Sequence, residues 1–136
     1  MEKKLKVKRL VKFYFNVEGL ERALDLKILT IAENSVDYNK SCEYFADKIL
    51  EIISDKAELA SLWAFIDKII GSMSEKNVRA LKFYARLRKG FNSLPEGVRR
   101  EIKTAAVQFT RHARGIDRFR QAIGILNKYY CLAADP

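Results

Sequence analysis

Apolar residues recur at three- and four-residue intervals along almost the whole chain, and this period most restricts what the chain can fold into. In the segment 4–32, the residues with this spacing are Leu10, Phe13, Tyr14, Val17, Leu20, Leu24, Ile28 and Ile31. Such spacing places them on one face of a helix, and strand-type alternation is absent. Only six glycines and two prolines interrupt the 136 residues, too few for the many turns of a β-sandwich. The sequence therefore predicts an all-α protein.

Local signals predict where the first helices begin and end. Segment 4–32 forms either one helix or two shorter helices that meet near Asn16 and Gly19. A second helix over about 38–53 is expected to turn six apolar residues inward: Cys42, Phe45, Ala46, Ile49, Leu50 and Ile53. Ser54 or Asp55 is expected to cap a third helix that ends at Gly71, because Asp55, three residues before Glu58, has the spacing of a capping box.

The remaining helices are predicted from similar signals. Ser72 or Ser74 starts a fourth helix that continues through Leu87. Pro95 suits the first position of a fifth helix because it lacks an amide hydrogen. The apolar positions after Pro95 keep their phase across Gly115, with Tyr130 inside the apolar sector and Tyr129 outside it. One curved helix over residues 95 to about 130 would span roughly 50 Å, and two helices broken at Gly115 are the alternative.

These elements predict one domain over residues 1–136. Its expected architecture is a compact antiparallel bundle of four to six helices with a long C-terminal amphipathic helix. No window approaches the ~18 uncharged apolar residues of a membrane span, and no cleavage site follows the basic N-terminal run. Cys42 and Cys131 lie far apart without a CxxC pair or a histidine cluster, which predicts reduced thiols, a cytoplasmic protein and no metal site.

The net charge of +9 is unevenly distributed along the chain. Residues 1–32 carry 8 basic and 4 acidic side chains, residues 33–73 carry 4 and 8, and residues 74–136 carry 14 and 5. An acidic middle and a basic C-terminal half indicate either an anionic partner for the basic half or attraction between the two halves. That attraction would act within the fold or between two copies of the chain.

One basic stripe is the strongest functional signal in the sequence. On a helical wheel, five cations gather opposite the apolar face, and Val107 is the only apolar residue among them: Arg100, Lys103, Arg111, Arg114 and Arg118. Such side chains can track a phosphate backbone, and Glu101 and Asp117 are the only acids from 97 to 134. We therefore predict binding of a polyanion, foremost nucleic acid, in a regulatory or accessory role. The alternatives are a solvated helix face and a protein-interaction or self-assembling module.

Catalysis has little support in the sequence. There is no phosphate-binding loop, GxGxxG, GxSxG or HExxH motif, and no cofactor is predicted. The lone histidine, His112, projects toward the apolar sector of the wheel, which predicts a hydrogen-bonded histidine in the core or at its boundary rather than a general base. We therefore predict a protein that is not an enzyme, and an enzyme whose site forms between two subunits is the third hypothesis.

Overall fold

The computed structural model describes residues 2–37 and 42–129, with the side chains of 7–33 and 43–129. Within these ranges the regular elements are helices, which confirms the all-α prediction. Six α-helices follow in order: α1 (Glu2–Phe15), α2 (Val17–Asp37), α3 (Cys42–Gly71), α4 (Glu75–Ala85), α5 (Glu96–His112) and α6 (Arg120–Lys128). Short 3₁₀ helices at Phe91–Ser93 and Ile116–Phe119 precede α5 and α6. The predicted positions of Tyr130 and Cys131 and the side chain of Cys42 lie outside the described residues.

The helices pack as antiparallel neighbours around a shared core. Lys56 of α3 pairs with Asp25 of α2, which places α2 against α3. Asn77 of α4 hydrogen-bonds Gln108 of α5, and α6 returns along α3. The fully buried side chains come from several helices and include Val11, Leu62, Ile66, Leu81 and Phe109. A bundle of six helices therefore agrees with the predicted range.

Several helix ends are confirmed. The first segment is two helices, because α1 ends at Phe15 and α2 begins at Val17, although α2 continues to Asp37. Gly71 ends α3, and the Ser74 hydroxyl accepts a hydrogen bond from the Asn77 amide at the start of α4. Pro95 immediately precedes α5, while α4 ends at Ala85 rather than Leu87.

The predicted break between a second and a third helix is wrong. α3 runs through it as one helix of 30 residues. Asp55 does not cap a helix. Instead, its buried carboxylate accepts a hydrogen bond of 2.7 Å from the Tyr129 hydroxyl. Ala46, Leu50 and Ile53 were expected to face inward but are exposed. The reason is that α2 and α6 pack against the side of α3 that carries Ile52 and Asp55.

The predicted long C-terminal helix is also wrong, and the alternative break at Gly115 is confirmed. Gly115 has a φ of 88°, a left-handed conformation that glycine adopts readily and that ends a helix. The chain then folds back onto α3, where Phe119 packs on Phe65 with ring centroids 4.8 Å apart. The break resets the helical phase, so Tyr129 is buried although the continuous wheel placed it outside the apolar sector.

Tyr14 joins α1 to α3 and provides a pH-dependent contact. Its hydroxyl donates a hydrogen bond of 2.5 Å to the Asp67 carboxylate, and its ring stacks on Trp63. Burial, followed by the hydrogen bond to Asp67, raises the pKa of Tyr14 to about 12.

We expect the free energy of unfolding to fall as the pH rises from about 10 to 12. In that range the folded state keeps the Tyr14 proton that the unfolded chain, with a pKa near 10, has already lost. Tyr14→Phe should lower stability at pH 8 but make this alkaline decline shallower, measured by urea unfolding at pH 8, 10 and 11. An unchanged alkaline decline in the variant would contradict the role of Tyr14.

Candidate nucleic-acid interface

One side of α5 forms an open polar groove with a cavity volume of about 510 Å³. The groove is lined by Asn77 of α4 and by six residues of α5: Arg100, Lys103, Thr104, Val107, Gln108 and Arg111. The α5 residues recur every three or four positions, so they lie on one face of the helix. The opposite face carries Ile102, Ala105 and Phe109, which are buried and fix the orientation of the groove.

The groove is positively charged, and none of the described side chains that line it is a carboxylate. The side chains of Arg100, Lys103 and Arg111 are exposed. Arg100 pairs with Glu96 at 3.3 Å, but both side chains are 77% exposed, so the pair neutralises little. In the described part of the chain, neither Lys103 nor Arg111 has an ion-pair partner.

Polar side chains within the groove add hydrogen-bonding capacity beside these cations. The Asn77 side-chain nitrogen donates to the Gln108 side-chain oxygen at 2.5 Å, which holds α4 and α5 in register. The other atom of each amide group remains available as a donor or an acceptor. The Thr104 hydroxyl donates to the Arg100 carbonyl at 3.0 Å and keeps its acceptor capacity.

The structure places three of the five predicted cations on the groove and two away from it. Arg114 lies in the turn that follows α5, because α5 ends at His112. The Arg118 guanidinium lies over the rings of Phe65 and Phe119 at 5.7 and 5.9 Å, and its Nε donates to the Gly115 carbonyl. Arg118 therefore takes part in the packing of the second 3₁₀ helix on α3.

Acidic side chains of α3 pair with α6 rather than with the groove. Lys128 of α6 lies 3.0 Å from Glu51 and 3.4 Å from Asp55. The hydrogen bond and charge of Lys128 lower the pKa of Glu51, and the same hydrogen bond is the largest cause of the raised pKa of Lys128. The predicted attraction between the acidic middle and the basic C-terminal half is thus seen between α3 and α6. The three cations of the groove, Arg100, Lys103 and Arg111, face solvent instead.

His112 is an exposed residue that makes one hydrogen bond. Its Nδ1 lies 2.7 Å from the Ser72 hydroxyl, which itself donates to the Ile69 carbonyl. With its one hydrogen on the Ile69 carbonyl, the Ser72 hydroxyl accepts from the ring nitrogen, the reverse of the arrangement in which a base activates a serine. The wheel placed His112 toward the apolar sector, but the structure leaves it exposed and buries the next residue, Ala113.

An apolar cleft beside the groove is the feature that the sequence did not predict. It has a volume of about 420 Å³, and six of its lining residues lie outside the groove: Val7, Tyr84, Phe91, Ile102, Ala106 and Thr110. Lys103, Val107 and Arg111 line both the cleft and the groove. The only signal in the sequence was Val107, an apolar residue within a charged stripe.

Neither the described helices nor their side chains point to a membrane or a metal. None of these helices is long and apolar enough to cross a membrane. The described residues include no group of three His, Cys, Asp or Glu side chains that could hold a metal ion. No protein-family model, curated protein or solved structure matches the chain.

Proposed function

We propose that this protein is a non-enzymatic helical domain that binds nucleic acid through the groove on α5. The observation that carries the proposal is the convergence of Arg100, Lys103 and Arg111 on one exposed surface, whose described lining residues include no carboxylate. Arginine binds phosphate oxygens in a bidentate manner and lysine acts as a point charge, so the set suits a phosphate backbone.

The dimensions of the groove support this proposal. Eleven residues separate Arg100 from Arg111, which corresponds to roughly 16 Å along the helix. Phosphates of one strand of duplex DNA advance by about 3.4 Å along the axis, so the groove matches on the order of five nucleotides. Asn77, Thr104 and Gln108 would supply hydrogen bonds to phosphate or sugar oxygens between the charged contacts.

The proposed role is regulatory or accessory, in the cytoplasm. The reversed hydrogen bond between His112 and Ser72 argues against use of this pair in catalysis. The two distant cysteines of the sequence favour a reducing compartment.

The direct test is a fluorescence-anisotropy titration of labelled duplex DNA and single-stranded RNA at 50 and 200 mM salt. We expect binding at 50 mM salt that weakens strongly at 200 mM, because phosphate contacts release counterions. Absence of binding to both probes at 50 mM salt would contradict the proposal.

Self-association is a second candidate function, favoured by exposed leucine and isoleucine side chains on two packed helices. Leu26 and Leu29 lie on one side of α2, and Leu50 and Ile53 lie on one side of α3, with exposures between 49 and 64%. If these side chains form an interface, we expect Leu26→Glu/Leu50→Glu to convert a dimer into a monomer in sedimentation equilibrium. A mass that instead falls as salt rises would favour an interface between acidic and basic faces, and a wild-type monomer would exclude both.

A further inference from the structure

We propose that the apolar cleft beside the groove binds an amphipathic carboxylate. The apolar body of this ligand would fill the cleft, and its carboxylate would be held by Lys103 and Arg111 at the edge. A volume of about 420 Å³ lies within the range of small-molecule sites, which are mostly apolar with a few placed polar groups. The inference concerns a ligand that differs from nucleic acid.

The walls of the cleft come from separate elements, so the cavity is formed by tertiary packing. Val7 belongs to α1, Tyr84 to α4, and Ile102 and Ala106 to α5. The ring of Phe91 meets the ring of Tyr84 edge to face, with centroids 5.9 Å apart. These side chains offer a ligand apolar surface, and burial of apolar surface on both partners drives its binding.

The edge of the cleft determines the charge of the ligand. Lys103 and Arg111 lie four residues before and after Val107, which is 49% exposed. None of the described residues that line the cleft carries a carboxylate, so among them a bound anion would meet two cations and no opposing charge. A cationic ligand would be repelled, and a neutral one would gain nothing from this pair. The ligand class that satisfies both the apolar walls and the charged edge is a carboxylate with an aliphatic or aromatic body.

The same two cations connect this site to the nucleic-acid groove. Because Lys103 and Arg111 line both cavities, a carboxylate bound to them would compete with a phosphate backbone. This step rests on the proposed function: the ligand would then lower the affinity for nucleic acid.

Alkanoates of six, eight and ten carbons, titrated by calorimetry below their micellar concentrations, provide the test. We expect each added methylene to tighten binding about fourfold until the cleft is full. Octanoate should bind at least tenfold more tightly than 1-octanol, and Lys103→Ala/Arg111→Ala should remove that advantage. The control Lys48→Ala/Arg120→Ala removes one exposed lysine and one exposed arginine elsewhere and should bind octanoate as the wild type does. Equal affinities for octanoate and octanol, or no binding of decanoate, would overturn the proposal.

A second pair of variants separates loss of the site from loss of the fold. Ala106→Leu projects into the cleft and should weaken decanoate more than hexanoate, while Val107→Asp places an acid between the two cations at an exposed position and should abolish the preference for carboxylates. Circular dichroism should match the wild type for both. If Val107→Asp instead changes a dimer into a monomer, a second copy covers the cleft and the proposal is wrong.

Competition is measured separately from binding. Octanoate should displace labelled DNA from the wild type at concentrations near its own dissociation constant. Octanoate binding without binding of either the DNA or the RNA probe would leave this inference intact and refute the proposed function. DNA binding without octanoate binding would support the proposed function and refute the inference of a carboxylate site.

Discussion

Asp55→Ala is expected to lower the free energy of unfolding by about 1–3 kcal/mol, because it leaves the buried Tyr129 hydroxyl without its hydrogen-bond acceptor. Lys128 loses one of its two acidic partners but keeps Glu51 at 3.0 Å. Since the Lys128 side chain is 48% exposed, its share of the loss is small. The end of α6 should therefore detach from α3 more readily in the variant. Amide hydrogen exchange should then speed up relative to the wild type by more in residues 120–128 than in α4 or α5.

The measurement is urea unfolding of a double-mutant cycle made of Asp55→Ala, Tyr129→Phe and the double variant. A coupling energy of about 1 kcal/mol or more would assign the loss to the hydrogen bond between these two side chains. The control is Asp47→Ala, which removes an exposed carboxylate from the same helix and should change stability by less than about 0.5 kcal/mol. Equal effects of Asp55→Ala and Asp47→Ala would show that the contact with Tyr129 contributes nothing.

Local signals in the sequence predicted the helix ends that depend on local chemistry. Gly71, Ser74 and Pro95 each mark an end because of a property of the residue itself. Asp55 has the same local signature as a capping residue, but its carboxylate is used by Tyr129, 74 residues away. A pattern that spans four residues holds no information about a partner on another helix, so the break in α3 was predicted wrongly.

The wheel for residues 95–130 shows a different limit. Its apolar phase continues across Gly115, so a continuous helix agreed with the apolar positions on both sides of the glycine. The left-handed conformation of Gly115 instead turns the chain back onto α3, where Phe65 packs on Phe119. This contact joins residues 54 positions apart, so the gain from packing could not be read from the local period.

The candidate site was predictable where it lies within one helix. Arg100, Lys103 and Arg111 share a face of α5 because the period of a single helix holds from 96 to 112. Arg114 and Arg118 follow the break and leave that face. The apolar cleft needs α1, α4 and α5 together, and only their packing reveals it.

The groove predicts a specific dependence of nucleic-acid affinity on salt. The slope of log K against log salt concentration is negative, and each phosphate contact that is lost should reduce its magnitude by about one for duplex DNA. The triple variant Arg100→Ala/Lys103→Ala/Arg111→Ala should therefore reduce the magnitude of this slope by about three. The same variant should weaken binding to all sequences alike. The matched control Arg22→Ala/Lys48→Ala/Arg120→Ala has the same net charge with three exposed cations removed elsewhere, so its slope should change by less than one.

Arg114→Ala/Arg118→Ala then decides between the groove and the five-residue stripe. If the groove is the binding surface, this variant should keep the wild-type slope, since neither side chain lines it. Arg118→Ala removes packing on Phe65 and Phe119, so unfolding of this variant must be measured to confirm that it is folded at the assay temperature. A slope reduced by about two in a folded variant would mean that the nucleic acid extends past the end of α5. Equal slopes in the groove triple variant and its matched control would leave only the net charge of the protein as the source of binding.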